Sequence, residues 1–247
     1  MNGIPRVALA VNPYPVGSLA TVETWNCWAP DDMVLVSCLV KRDAPPGFEP
    51  SQLARVLSRD GLDIGMPRPL PFVHDLLWAA FTAGSGVDWV GVANMDLHFE
   101  PSFFAVFDRA EAAGMHAIAV HRRDRDPSTG VVSPVTHWKS MDAFFVCGHV
   151  WQHEDDESSF PDFLLGAPAW DMGAKAWTLL RGIGCYELDN GSVLHNTHTG
   201  LWRQRMFLET EGEYNRKLFR GLMEKVRKAG VPEGALHLNP RYWSVHE

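Results

Sequence analysis

The residues best suited to chemistry in this sequence follow a short apolar segment, Trp89–Ala93, and read Asn94-Met95-Asp96. Residues two positions apart in an extended chain point the same way, so the Asn94 amide and the Asp96 carboxylate would present oxygen atoms in one direction. Hard divalent cations prefer such oxygens and commonly keep diphosphate oxygens and waters as further ligands. Taken alone, the spacing favours a plainer interpretation, in which both side chains only cap the next turn.

Two further polar groups adjoin other apolar segments. Arg122-Arg123-Asp124 follows the apolar run 115–120 and could bind a diphosphate or a molecule that accepts a transferred group. A solvated charged turn is at least as good an interpretation. Asp142 lies at the start of an aromatic-rich run and could hold a donor or acceptor hydroxyl. Neither pattern is specific by itself.

The elements that must position these residues alternate in the first half of the chain. Short apolar runs predict strands at 7–11, 33–40, 89–93 and 115–120, and helical spacing predicts helices at about 72–83, 102–113 and, more weakly, 51–58. This alternation predicts a parallel sheet with crossover helices. Ligands of such sheets bind beyond the carboxyl ends of the strands, which is where Asn94 and Asp96 would lie.

The second half of the chain is less regular. The pattern predicts a strand within 140–151, a helix within 166–184, a strand at 185–188 and a last helix at about 213–228. An internal repeat and a low-complexity linker are both missing from the sequence. We therefore expect one domain over residues 1–247.

Several segments, in this order, resemble those of GT-A glycosyltransferases. The segment 88–104, DWVGVANMDLHFEPSFF, resembles the strand that ends in the DxD metal motif of that family, with Asn in place of the first Asp. PLPFVHDLLWAAFTAG before it, and SMDAFFV and FPDFLLGAPAWDMGAKAWTLLRGIG after it, resemble further segments of bacterial and phage-type members. The likeness covers roughly residues 5–203. It implies a single GT-A-like α/β domain with a mostly parallel central sheet flanked by helices.

The resemblance also divides this domain and implies a metal site. Residues of about 5–125 would bind the nucleotide-sugar donor, about 126–210 would bind the acceptor, and a helix at about 213–229 would follow. Asp96 would ligate Mn²⁺ or Mg²⁺ bridging the donor diphosphate, and Asn94 would contact the ribose or a metal-bound water. A histidine near this place often completes the metal shell in that family, so His195 or His198, which the residues alone do not rank, would be a metal or phosphate ligand. Without the resemblance, an H-x-x-H pair outside a helix is a poor zinc signature.

The remaining roles implied by the resemblance concern the donor pocket and catalysis. Asn12 would lie where the nucleotide pocket begins, and Arg122 and Asp142 would contact the nucleotide sugar. Asp171 would deprotonate the acceptor hydroxyl in an inverting reaction, and Trp170 would stack on a sugar face. The plainer alternative is that Asp171 caps the following helix and Trp170 packs in the core.

Composition limits the other classes of function. The net charge of −8 argues against nucleic-acid binding by broad phosphate neutralisation. Four scattered cysteines without CxxC spacing are typical of reduced thiols in a cytosolic protein. The sequence contains neither a run of about 20 apolar residues nor the features of a signal peptide at its start. A cytoplasmic location is therefore expected.

Three functions remain open from the sequence. The first is transfer of a sugar from a nucleotide-diphosphate donor to a glycan or other hydroxyl acceptor. The second is binding of a nucleotide or glycan without catalysis, which Asn94 in the metal motif keeps open. The third, sugar nucleotidyl transfer, is disfavoured because the loop NPYPVGS after the first strand lacks Lys and Arg.

Overall fold

The structure is a computed structural model that describes residues 5–11, 33–37, 49–50, 56–57, 70–94, 96–152, 159–188, 191–197, 209 and 211–231. Two of the predicted site residues, Asn12 and His198, lie outside the described residues. Cys27 and Cys38 do so as well. Within the described part of the chain, no helix is both long enough and apolar enough to cross a membrane.

The described elements alternate between strands and helices. The strands are β1 (Val7–Val11), β2 (Met33–Ser37), β3 (Glu49–Pro50), β4 (Val56–Leu57), β5 (Leu70–Pro71), β6 (Trp89–Ala93), β7 (Leu97–Phe99), β8 (Ala117–Arg125), β9 (Val132–Cys147), β10 (Cys185–Leu188) and β11 (Val193–Asn196). The helices are α1 (Val73–Ala83), α2 (Ala105–Ala112), α3 (Gly148–Trp151), α4 (Trp170–Leu180) and α5 (Glu211–Lys228). A 3-10 turn, Pro101–Phe104, leads directly into α2.

The main sheet has the strand order β3-β2-β1-β6-β9-β8-β11-β7, and β10 also pairs with β8. The pairs β3–β2, β2–β1, β1–β6, β8–β11 and β8–β10 are parallel. β9 runs antiparallel between β6 and β8, and β7 runs antiparallel to β11. The domain is therefore α/β with a mostly parallel central sheet flanked by helices, as the sequence predicts.

Helices cover both faces of this sheet. Ala8 and Ala10 of β1 pack in a core cluster with residues of α1, α4 and α5. Leu9 and Val11 face the opposite way, into a second cluster with residues of α2. Since water reaches neither face, β1 and β6 are apolar at every position rather than alternating.

Three predicted elements are corrected by the structure. Val56 and Leu57 form β4, paired with β5, so this part of the predicted helix 51–58 is wrong, while 51–55 and 58 lie outside the described residues. Arg122–Asp124 is part of β8 and not a charged turn, because β9 and β11 supply hydrogen-bonding partners on both sides of it. The sequence predicts a strand within 140–151, but the last four of these residues, Gly148–Trp151, form the helical turn α3.

Helix α4 packs closely enough to give a stability prediction. A Cβ atom added to Gly173 would lie 2.1 Å from Cζ of the buried Phe163. We expect Gly173→Ala to lower the free energy of unfolding by about 1–3 kcal/mol, because an overpacked core outweighs the gain in helix propensity. The measurement is urea unfolding.

The matched control is Gly221→Ala in α5, where an added Cβ has no atom within 4 Å. This change should raise the free energy of unfolding by about 0.5–1 kcal/mol. Equal, stabilising effects of the two substitutions would contradict the close packing of α4 on Phe163.

Candidate functional site

The candidate site begins where β6 ends, at the point where the strand order reverses. The strands after β1 are added first on one side, as β2 and β3, and then on the other side, as β6. Ligands of open α/β sheets bind beyond the carboxyl ends of strands at such a switch point. Asn94 directly follows β6 and therefore lies at this rim of the sheet.

Asn94 is held by Asp142 of β9 through two hydrogen bonds. Its backbone N–H donates to the Asp142 carbonyl, and its Nδ2 donates to Asp142 Oδ1, both over 2.9 Å. The other carboxylate oxygen of Asp142 forms an ion pair with Nη1 of Arg122 on β8. The buried Asp142 carboxylate therefore joins the three neighbouring strands β6, β9 and β8.

Arg122 connects this contact to Asp124, two residues further along β8. Arg122 Nε donates to Asp124 Oδ1 over 3.3 Å. The pairing of β8 with β9 is irregular on both sides of Arg122, between His121 and Arg122 and between Arg123 and Arg125. Irregularities of this kind turn side chains away from their regular directions. Here they accompany the meeting of Arg122 and Asp124 on one side of the strand.

His195 on β11 bridges two carboxylates. Its Nδ1 lies 3.0 Å from Asp124 Oδ1, and its Nε2 lies 3.1 Å from Asp96 Oδ2. The His195 side chain is 12% exposed, whereas that of Asp96 is 34% exposed. Both ring nitrogens can donate to carboxylates only when the imidazole is protonated. A cation bound at one ring nitrogen, in place of the second proton, would also put positive charge next to a carboxylate.

The backbone around His195 is fixed by strands on both sides. In the register of the sheet, His195 pairs with Asp124 of β8 and with Leu97 of β7. Asn196 N–H also donates to the Asp96 carbonyl over 3.4 Å. These contacts bring together residues that are about a hundred positions apart in the sequence.

Asp171 lies beside this network at the start of α4. Its Oδ2 accepts the Met141 backbone N–H over 3.1 Å, and the Arg122 charge acts on its carboxylate. Ala169, with φ 74°, is the N-cap residue of α4, and Asp171 lies in the first turn of the helix, where its carboxylate also accepts the Met172 backbone N–H. Burial raises the pKa of Asp171, and the backbone hydrogen bonds from Met172 and Met141 only partly offset this.

Trp170 is packed in the core. Its side chain belongs to the cluster that contains α1, α4 and α5, and the residue is 3% exposed. Stacking of a sugar on its ring would therefore require the surrounding core to open. The packing of Trp170 agrees with the plainer alternative stated from the sequence.

Two features of this region were not predicted from the sequence, the contacts of Asp124 and a second cluster. Asp124 was considered only as part of the run Arg122-Arg123-Asp124, although its contact with Arg122 could have been expected, because alternate residues of a strand share a face and Asp124 follows Arg122 by two. Behind the network, Glu187 contacts the buried side chains of His121 and Lys175. The hydrogen bond with His121, together with Lys175, lowers the pKa of Glu187 to about 2. No motif in the sequence predicts this second cluster.

The residues present fit a divalent cation with few protein ligands. Among the described residues, no group of three or more His, Cys, Asp or Glu side chains is arranged to hold a metal ion. Mg²⁺ commonly takes only one or two carboxylates together with waters and substrate phosphates. Asp96 and His195, which contact each other over 3.1 Å, would supply one carboxylate and one imidazole to such a site.

A separate cavity of about 350 Å³ lies near the start of β6, at the other end of that strand. It is lined in part by His116, His149 and Cys147. Burial, with the charges of Glu111 and Asp88, raises the pKa of Cys147 to about 12. The thiol is therefore protonated at neutral pH and is a poor nucleophile or metal ligand.

Comparison with known proteins leaves the family of this chain open. No protein-family model matches it, and no curated protein sequence is detectably similar. Among solved structures, it is similar to a candidate nucleotide-diphospho-sugar transferase from Desulfovibrio desulfuricans G20, with a TM-score of 0.40, 11% identity, and 91% of this chain and 98% of that chain covered. So distant a likeness supports no conclusion about activity, which has to be argued from the site.

The raised pKa of Asp171 predicts a pH dependence of stability. The folded protein holds this proton more tightly than the unfolded chain, so the free energy of unfolding should fall as pH rises from the ordinary aspartate pKa through the raised one. Asp171→Asn removes this ionisation while keeping an acceptor for Met141 N–H. The variant should therefore gain stability relative to wild type as pH rises, as measured by urea unfolding across that range.

The control for this experiment is Asp108→Asn, which removes an exposed carboxylate on α2. Its stability should follow the wild-type pH profile. Parallel profiles of Asp171→Asn and wild type would show that Asp171 ionises as freely in the folded protein as in the unfolded chain.

Proposed function

We propose that this protein is a metal-dependent glycosyltransferase, which moves a sugar from a nucleotide-diphosphate donor to an acceptor hydroxyl with inversion. The observation that carries the proposal is the chain of contacts that starts at Asn94, beside the switch point of the sheet, and runs through Asp142, Arg122 and Asp124 to His195 and Asp96. The resemblance of the surrounding segments to GT-A glycosyltransferases had assigned all of these residues except Asp124 to one site.

The charges of the site favour a divalent cation. Asp96, Asp124 and Asp142 place three carboxylates close together, and Arg122 already pairs with two of them. A nucleoside diphosphate would bring further negative charge to the same place. Since like charges repel strongly where water is scarce, binding of a diphosphate needs a cation between it and these carboxylates.

Asp96 and His195 are the residues that would hold this cation, which we take to be Mn²⁺ or Mg²⁺. Asp96 is the most exposed carboxylate of the network. When bound, the ion supplies Lewis-acid stabilisation of the charge on the departing diphosphate. Asn94 is held at the rim of the sheet by Asp142 and would contact the ribose or a water.

Asp171 is the proposed general base for the acceptor hydroxyl. Burial raises its pKa, and a general base must be ionised and within hydrogen-bond reach of the proton that it removes. The Arg122 charge favours the ionised form of Asp171 and limits this shift. The acceptor would then approach from the side of α4.

The burial of Asp171 also favours a second candidate function, binding of a nucleotide or glycan without catalysis. Asp171 is 7% exposed, and its carboxylate already accepts backbone N–H groups. A general base must reach the hydroxyl proton directly or through one water. If Asp171 stays enclosed when a donor is bound, the same site would bind without transferring.

The first prediction from this proposal concerns binding. Mn²⁺ with UDP, GDP or CDP should raise the melting temperature of the full chain, by about 5–10 °C for a ligand at 100 times its Kd. The nucleotide without metal should give little change. Asp96→Ala should abolish the metal-dependent increase because the cation loses its carboxylate ligand.

Asp108→Ala, which removes an exposed carboxylate of α2, is the control and should bind as wild type does. Normal metal-dependent stabilisation of Asp96→Ala would refute the assignment of this site. The melting temperature of each variant without ligand shows whether its fold is intact.

The second prediction separates transfer from binding alone. We expect Asp171→Asn to lower the release of nucleoside diphosphate from a panel of UDP-, GDP- and CDP-sugars by about 100-fold or more, because the proton acceptor is lost. Stabilisation by Mn²⁺ and the nucleotide should be unchanged. Unchanged turnover in Asp171→Asn would exclude Asp171 as the base. If the wild-type protein binds the metal and nucleotide but turns over none of the donors, the second candidate function is favoured.

A further inference from the structure

Asp124 joins the two halves of the polar network through a single oxygen. Its Oδ1 lies 3.0 Å from His195 Nδ1 and 3.3 Å from Arg122 Nε. Asp96 contacts the opposite edge of the same imidazole, at Nε2. Asp124 and Asp96 therefore lie on opposite sides of the His195 ring, so with this ring orientation they do not bind one ion together with His195.

We infer that Asp124 is a positioning residue, which holds His195 so that Nε2 faces the cation beside Asp96. This inference rests on the proposed function, since it assumes the divalent cation. A carboxylate that accepts from Nδ1–H fixes the proton on that nitrogen and leaves the lone pair on Nε2 for a metal. It also sets the rotation of the ring.

The surroundings of His195 explain why its ring needs such a partner. The backbone of His195 is fixed by pairing with β8 and β7, which leaves the side-chain torsions as its remaining freedom. Asp124 is directly opposite His195 in the β8–β11 register, so the two side chains start from neighbouring backbone positions. Arg122 contacts the same oxygen of the Asp124 carboxylate. The ring orientation is thus determined by groups with little freedom of their own.

Calorimetric titration of the full chain with Mn²⁺ alone tests this inference. Asp124→Ala should weaken Mn²⁺ binding by about 10- to 100-fold, the usual effect of removing the hydrogen-bond partner of a metal-binding histidine. Asp124→Asn should weaken it less, because the neutral amide oxygen still accepts one hydrogen bond. Asp108→Asn, which removes an exposed carboxylate on α2, should leave binding unchanged.

A double-mutant cycle shows whether Asp124 acts through His195. With His195→Ala already present, Asp124→Ala should cause little further loss of Mn²⁺ affinity, because the ring that it positions is gone. Independent, additive losses would overturn the inference and point to an action of Asp124 through Arg122 or by direct ligation. Equal losses in the Asn and Ala variants would also contradict positioning by a hydrogen bond.

Failure of the inference is distinguishable from failure of the proposed function. If Asp96→Ala and His195→Ala weaken Mn²⁺ binding but both Asp124 variants bind normally, Asp124 has no positioning role and the proposed site stands. If neither Asp96→Ala nor His195→Ala weakens binding, the proposed metal site is itself wrong. Should Asp124→Ala fail to fold, as judged by its melting curve, the Asn variant alone and with His195→Ala gives the same cycle.

Discussion

The rim of the sheet depends on the buried carboxylate of Asp142. One of its oxygens accepts from Asn94 and the other pairs with Arg122, so it fixes β6 and β8 to the antiparallel strand between them. A buried carboxylate is costly unless it is paired and hydrogen-bonded. Loss of Arg122 would leave its charge unpaired, and loss of Asn94 would remove a hydrogen bond from it. Arg122 in turn contacts Asp124, which contacts His195, so the position of Arg122 also affects the positions of these outer side chains.

From Asp142 the network runs outward through four further polar side chains. Arg122 leads to Asp124, then to His195, and finally to Asp96. The exposed fraction of the carboxylate side chains rises along it, from 10% at Asp142 to 25% at Asp124 and 34% at Asp96. Asp96 is therefore the most exposed carboxylate of the network and Asp142 the most buried.

Helix α4 fixes the network from the side. Asp171 and Lys175 are one turn apart, and the first accepts Met141 N–H while the second pairs with Glu187. Close packing of Gly173 on Phe163 fixes the distance between this helix and the core. The depth of Asp171 follows from that packing. It raises the pKa that a base needs and at the same time limits access to the carboxylate, so one structural feature underlies both candidate functions.

The sequence by itself determined the strands and helices whose periodicity is set by burial, such as β1, β6 and α1, and the rim position of Asn94 and Asp96. Strand β4, the extension of β8 through Arg122 and the contact between Asp124 and His195 were decided only by the tertiary structure. Each depends on pairing with another strand, and local spacing contains no information about which strand will supply the hydrogen bonds. The burial of Asp171 was decided in the same way, because the packing of a helix against a sheet sets solvent access, and residue type does not.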